Sequence, residues 1–352
     1  MAEVGKRQDP EIITMSQSGS GHLLDVRDLY VEFHTREGVA NAINGVSYHL
    51  DAGETLAVLG ESGSGKSVTA QAIMGILDIP PGKITKGEIW YDGRDLLALP
   101  EEQRRQVRGK EIAMIFQDAL SALNPVFSVG WQISETLRRR EGMSKTDALK
   151  RAVELMELVR IPAARDRLHD YPHEFSGGMR QRVMIAMSLA MNPKILIADA
   201  PTTAQDVTVQ AQVMDLLGDL RRDLDMAMIL ITHDLGVDAD VADRIAVMYA
   251  GRIVEHADVH DLYAKQGHPY TKGLIESIPR LDDKGHQLAT IRGRPPSLMR
   301  IPAGCPFHPR CPYRQDPRCT TEIPTEHDLN GIRTSRCHFA EEVLDGSIVA
   351  TH

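Results

Sequence analysis

The segment "GESGSGKS", Gly60–Ser67, restricts the possible folds of this chain more than any other stretch. It fits G-x-x-x-x-G-K-[ST] and has the right neighbours. The apolar run "GETLAVLG" (53–60) before it is of strand type, and "KSVTAQAIMGIL" (66–77) after it carries apolar positions at helical spacing. A strand, a glycine-rich turn and a helix in that order form a phosphate cradle, and a chance glycine turn would lack both flanks. Backbone N–H groups along Gly60, Glu61, Ser62, Gly63, Ser64 and Gly65 can curl around a β-phosphate. Lys66 brings a point charge to the β- and γ-oxygens, and Ser67 offers a hydroxyl to Mg²⁺. The helix that starts there aims the positive end of its dipole at the same point.

The remaining pattern predicts an α/β fold. "KGEIWYDGRDL" (86–96) has the chemistry of a hairpin, and strands are expected at "IAMIFQ" (112–117), "KILIAD" (194–199) and "AMILIT" (227–232). A helix at about 207–223 separates the last two, and "RIAVMYAGRIVEHA" (244–257) reads as two short strands around Ala250 and Gly251. This alternation implies a mainly parallel sheet covered on both faces. A helical block over about 118–190, containing "TDALKRAVELMELV" (146–159) and "GGMRQRVMIAMSLAM" (177–191), interrupts it as an inserted subdomain would. The expected division is a disordered leader at 1–21, a nucleotide-binding domain at 22–262 and a separate C-terminal extension at 263–352, rich in Pro, Arg, His and Cys.

Bulk properties narrow the partners. The formal charge of −9 weighs against nucleic acid, whose phosphates want a basic face. No apolar run approaches the roughly 20 residues that cross a bilayer, and the polar N-terminus lacks a signal-peptide core. The chain is therefore expected in the cytoplasm, with any membrane role exerted through a partner.

Two further motifs complete the chemistry. Asp199 ends the apolar strand "ILIAD", where a Mg²⁺-holding carboxylate belongs in P-loop nucleotidases. "FSGGMRQR" (175–182) opens a helix with Ser176, Gly177, Gly178 and Met179, a second anion cradle. One chain would hardly aim two cradles at one nucleotide, whereas a head-to-tail pair could close this loop on the partner's γ-phosphate.

In that order, "GESGSGKS", Gln117 at the end of "AMIFQ", "FSGGMRQR", "ILIAD" and "ITHD" resemble the motif set of the ATP-binding subunit of ABC transporters, over roughly residues 22–262. "AMIFQDALSALNP", "PTTAQDVTVQAQ", "HPYTKGL" and the cysteine-bearing tail resemble its dipeptide/oligopeptide importer branch. The resemblance implies a RecA-like core with an antiparallel β edge, two subunits sandwiching two ATP molecules, and Mg²⁺ held through Ser67, Gln117 and Asp199. It implies that His233 holds the γ-phosphate and attacking water, that Asp206 couples the two sites, and that an aromatic near the first strand, Phe33 being nearest, stacks on adenine. The implied partners are a second ATPase subunit (expected to be a different chain), two transmembrane permease subunits and an extracytoplasmic substrate-binding protein. The implied location is the cytoplasmic face of the cell (inner) membrane. Import of nickel or another small solute is the alternative. Soluble ABC ATPases acting on DNA or ribosomes fit less well, since the chain has neither long coiled coils nor a second ATPase unit.

One position departs from that family's pattern. Ala200 stands where a glutamate should follow Asp199 and act as general base. Hydrolysis should be crippled and nucleotide binding retained. Either the substitution is deliberate, to trap the ATP-bound dimer, or the site is naturally degenerate and paired with a competent partner; the otherwise intact motifs favour the former. Gln205 is also unusual for its motif.

The four cysteines, Cys305, Cys311, Cys319 and Cys337, all fall in the tail with C-x5-C-x7-C-x17-C spacing. Clustered thiols in a cytoplasmic chain point to a metal rather than disulfides. Spacing alone does not separate Zn²⁺ from a 4Fe–4S cluster, since both accept four thiolates. The importer resemblance implies the 4Fe–4S cluster, as a structural clamp for the tail.

Overall fold

Two sheets frame the molecule. The computed structural model describes residues 21–118, 122–201, 207–232, 240–278 and 290–350. Strands β1 (Leu24–Thr35), β2 (Gly38–Leu50), β4 (Gly82–Tyr91) and β5 (Arg94–Asp95) form an antiparallel sheet in the order β2-β1-β4-β5. The larger sheet contains β3 (Thr55–Leu59), β6 (Ile112–Ile115), β7 (Ile195–Asp199), β8 (Ala227–Thr232) and β9 (Arg244–Tyr249), parallel to one another in the order β9-β3-β8-β7-β6. Every residue of β3, β6, β7 and β8 is buried. Covering on both faces is why these segments read as unbroken apolar runs.

Helix α1 (Lys66–Met74) follows β3 directly and stops at Gly75, whose φ of 61° is left-handed. Helix α2 (Glu101–Val107) precedes β6. The sequence pattern does not anticipate it, because Val107 is its one buried residue and no apolar stripe exists to detect. Between β6 and β7 come α3 (Val129–Arg140), α4 (Lys145–Leu158) and α5 (Gly177–Leu189). Ser128 and Ser144 start α3 and α4 by accepting from the N–H groups of Trp131 and Asp147, caps each worth about 1 kcal/mol. Ile133, Leu155, Met156, Ile185 and Leu189 of this block share one core with Leu196 and Leu230 of the sheet. Helix α6 (Val207–Asp223) links β7 to β8.

Described residues after 262 add strands to the larger sheet and pack on it. Strand β10 (Arg252–Asp258) runs antiparallel to β9, and the two-residue strands β11 (His327–Asp328) and β12 (Thr334–Ser335) continue the sheet outward in the order β11-β12-β10. Helices α7 (Val259–Ala264) and α8 (Pro269–Glu276) follow β10, and Tyr270 and Phe307 share a core cluster with Tyr249 and Val254 of the sheet. Among the described residues, two further short helices, α9 (Arg318–Thr321) and α10 (Ala340–Asp345), lie in the tail. No described helix is long and apolar enough to cross a membrane.

Glu255 ties these parts together. Its carboxylate, 1% exposed, accepts from Gly267 N–H at 2.6 Å and His268 N–H at 3.0 Å, at the start of α8. Burial pushes its pKa up to about 7, against the backbone donors and Arg333. The folded value lies above the ordinary 4.5, so this group's stabilising contribution is complete below about 4.5 and is lost as pH rises through about 7. Glu255→Gln should remove that slope. The expected gap between wild type and variant changes by on the order of 3 kcal/mol between pH about 4.5 and 7.5. It is best measured as a difference in denaturation free energy, because His256 and His268, pushed down to about 4 and about 3 mainly by burial, tilt both proteins the opposite way.

Candidate nucleotide site

The loop from β3 to α1 is squeezed between other backbone. At Gly60, φ is +149°, and an added Cβ would lie 2.2 Å from the Met248 carbonyl oxygen. At Gly65, φ is +109°, with the Ala42 carbonyl oxygen and Ile43 Cδ1 both 2.7 Å from such an atom. Only glycine fits either position. Gly65 is also the N-terminal cap of α1, and no side chain caps that helix, which suits its first N–H groups to an anion.

This loop forms one wall of a cleft of about 440 Å³. Ser62–Val68, Gln117 after β6, Asp199 and Ala200 at the end of β7, and Ile231 and Thr232 at the end of β8 line it. Ser67 Oγ donates to Asp199 Oδ1 at 3.0 Å across 132 positions of chain. Lys66 Nζ donates to the carbonyls of Gly60 at 2.6 Å and Glu61 at 3.0 Å. Burial pushes the Asp199 pKa up, against the Ser67 hydrogen bond and Lys66. Burial likewise pushes Lys66 down, against Asp199 and Glu61. The hydroxyl of Ser67, the carboxylate of Asp199 and the amide of Gln117 make an oxygen donor set of the kind Mg²⁺ takes. A cation there would offset the burial cost of the Asp199 charge.

Ala200 lies in this cleft at a left-handed φ of 42°, and its N–H donates to Ile231 O at 2.7 Å. Its methyl group can neither take a proton nor orient water. Ser176, Gly177, Gly178 and Met179 are elsewhere. Ser176 caps α5 by accepting from Met179 N–H at 3.3 Å, Ser176 and Gly177 are exposed, and none of the four lines the cleft of its own chain. Phe33 does not line it either; it sits on β1 opposite Gly82, half-buried against the core. Glu61 does not line the cleft, and Arg310 pairs with its carboxylate. Gln205, Asp206 and His233 lie outside the described residues. Sequence reasoning missed Arg310 and Tyr270, which hold Glu61 from the extension, since a partner 249 positions away leaves no local signal.

Cys305, Cys311, Cys319 and Cys337 all line one small cavity beside Phe307. Burial raises the thiols of Cys305, Cys311 and Cys337 to about 11, about 12 and about 12. Among the described residues, no three of the four sulfurs lie within 4.8 Å of one another. Zinc at about 2.3 Å from each sulfur would draw the sulfurs to about 3.8 Å apart. Nearby histidines turn to the backbone instead, His308 Nδ1 to Cys305 O and His338 Nε2 to Glu322 O, both at 2.9 Å. His22, His49 and Asp51 do come within 4.8 Å, but the two rings stack at 3.8 Å and 22°. In-plane lone pairs of stacked rings do not converge on one ion, and Arg244 lies 3.0 Å from His49 Nε2.

A family model described as ABC transporter matches residues 43–203, and one described as the C-terminal region of oligopeptide/dipeptide transporters matches residues 254–319. The oligopeptide transport ATP-binding protein OppD of Bacillus subtilis is 56% identical over 323 residues, covering 92% of this chain and 88% of that protein. The OppD of Salmonella typhimurium is 49% identical over 334 residues, covering 95% and 99%. The dipeptide transport ATP-binding protein DppD of Bacillus subtilis is 52% identical over 328 residues, covering 93% and 98%. Among solved structures, the dimeric post-hydrolysis state of the ATP-binding cassette MJ0796, bound to ADP and Pi, superposes with a TM-score of 0.60 at 28% identity, covering 67% of this chain and 98% of that one.

Proposed function

The chain belongs to the ABC transporter family, in its oligopeptide/dipeptide branch, and from that premise we propose that it is the ATP-binding subunit powering peptide import across the cell membrane. The observation that carries the reading is the convergence of the glycine loop, Lys66, Ser67 and Asp199 on one cleft. In this reading Lys66 and the loop N–H groups bind the β- and γ-phosphates, and Ser67, Asp199 and Gln117 hold Mg²⁺. That ion would neutralise phosphate charge; the protein's part is to fix the triphosphate in line with an attacking water. His233 and Asp206 would act at the γ-phosphate and between sites.

The outward-facing cap at Ser176 and Gly177 supports a two-chain site, since a helix start exposed on the surface can receive an anion carried by a neighbour. The second ATPase subunit, two permease subunits and a substrate-binding protein complete the proposed assembly, with this chain held peripherally on the cytoplasmic face of the inner membrane. With Ala200 in place of a carboxylate base, the subunit would bind ATP and hydrolyse it poorly.

The gathering of Cys305, Cys311, Cys319 and Cys337 on one cavity supports a shared site that clamps the tail, and the importer resemblance makes a 4Fe–4S cluster the proposed occupant, with Zn²⁺ the alternative. Iron and sulfide content with visible absorbance that chelation bleaches is the expected result; stoichiometric zinc in a colourless protein overturns it.

Affinity capture of the tagged full-length chain from solubilised membranes tests the main reading. Recovery of permease subunits together with a peptide-binding component is expected. Capture of a nickel-binding component instead would assign the alternative cargo. Purification without any integral membrane protein would overturn the importer reading.

A further inference from the structure

The phosphate loop is gripped from its flank by the cysteine-bearing extension. Glu61 is held at three points. Its N–H donates to Tyr270 Oη at 2.9 Å, and its carbonyl accepts from Lys66 Nζ at 3.0 Å. Its carboxylate forms a two-pronged ion pair with Arg310, Nη1 to Oε2 at 2.6 Å and Nη2 to Oε1 at 2.9 Å. Fork-on-carboxylate pairs fix orientation as well as charge. The Arg310 side chain is 5% exposed, and its guanidinium lies 5.8 Å and 5.9 Å from the ring centres of Tyr249 and Phe307.

Arg310 is equally fixed to the cysteines. It directly precedes Cys311, and its N–H donates to Phe307 O at 2.9 Å. The same turn is closed by His308 N–H to Cys305 O at 3.0 Å and by Cys305 N–H to Cys319 O at 2.9 Å. A rearrangement of the thiols that opens this turn must move Arg310, and so release the Glu61 carboxylate. With the pair broken from either side, Glu61 keeps only its main-chain contacts, and a loop less fixed gives up more freedom when it closes on a triphosphate.

We infer that Arg310 is a positioning residue for the phosphate loop, and that the four-cysteine segment sets nucleotide affinity through the Arg310–Glu61 pair. The inference rests on reading Gly60–Ser67 as the nucleotide site. By linkage the coupling is reciprocal: bound nucleotide protects the cysteine segment from thiol reagents and metal loss.

The test is titration of the full-length chain with a fluorescent ATP analogue and Mg²⁺, with thermal melting recorded alongside. Arg310→Ala should weaken binding about tenfold, within the usual span of coupling between sites, and Arg310→Lys should recover part of the loss. Glu61→Ala should weaken binding similarly, and the Arg310→Ala/Glu61→Ala double variant no more than either alone. Cys311→Ser should weaken binding in the wild-type background and add nothing in the Glu61→Ala background. If Arg310→Ala does not fold, the Glu61→Ala and Cys311→Ser arms decide. Unchanged affinity in the single variants, or an equal Cys311→Ser loss in both backgrounds, overturns the inference. Failure of the unaltered chain to bind the analogue overturns the nucleotide reading itself, and the inference with it.

Discussion

Ala200→Glu is expected to raise ATP turnover in the assembled importer about 10²–10⁴-fold, the contribution of a positioned general base. The site is prepared for it. Ala200 already lines the cleft next to Asp199, and its N–H to Ile231 O bond anchors the main chain at the end of β7. Nucleotide affinity should stay unchanged, because Lys66, Ser67 and the loop N–H groups are untouched by the substitution. The measurement is steady-state phosphate release at saturating Mg²⁺-ATP. A rate that does not move would mean that hydrolysis here does not depend on a carboxylate at position 200.

Phe307→Ala is expected to cost about 3–5 kcal/mol, the usual range for deleting a buried aromatic. Phe307 is 2% exposed, packs edge-on against Tyr249 with ring centres at 5.3 Å, and meets Tyr270 at 5.4 Å and His268 at 5.9 Å. Loss of that wedge should free the extension before the parallel sheet unfolds. Hydrogen exchange resolved by segment should therefore show fast exchange over 305–337 while 195–199 and 227–232 stay protected. Uniform loss of protection would mean that the extension and the sheet unfold as one unit.

What the sequence reveals follows from how local the signal is. Strands β3, β7 and β8 are legible because burial on both faces makes them continuous apolar runs, and α4 because its apolar positions recur at helical spacing. The Lys66–Ser67–Asp199 grouping is legible because each member sits at the end or start of such an element. Helix α2 shows no stripe, and β11 and β12 are too short for any alternation. Glu61 reads as one more member of the phosphate loop, yet its carboxylate is taken by an arginine from the far end of the chain. Cysteine spacing shows how many thiols are present and not how far apart they stand, the quantity that bears on which metal they suit.

The outward continuation of the large sheet has a bearing on how shortened forms would behave. Thr334 and Ser335 occupy the hydrogen-bonding margin of β10 beside Glu255 and His256. A chain cut after α7 would keep the residues that line the cleft but lose the hold of Tyr270 and Arg310 on Glu61, and it would bare that margin, leaving a ready template for intermolecular strand addition. Self-association of such a fragment, suppressed by restoring residues 327–335, is the behaviour this border predicts.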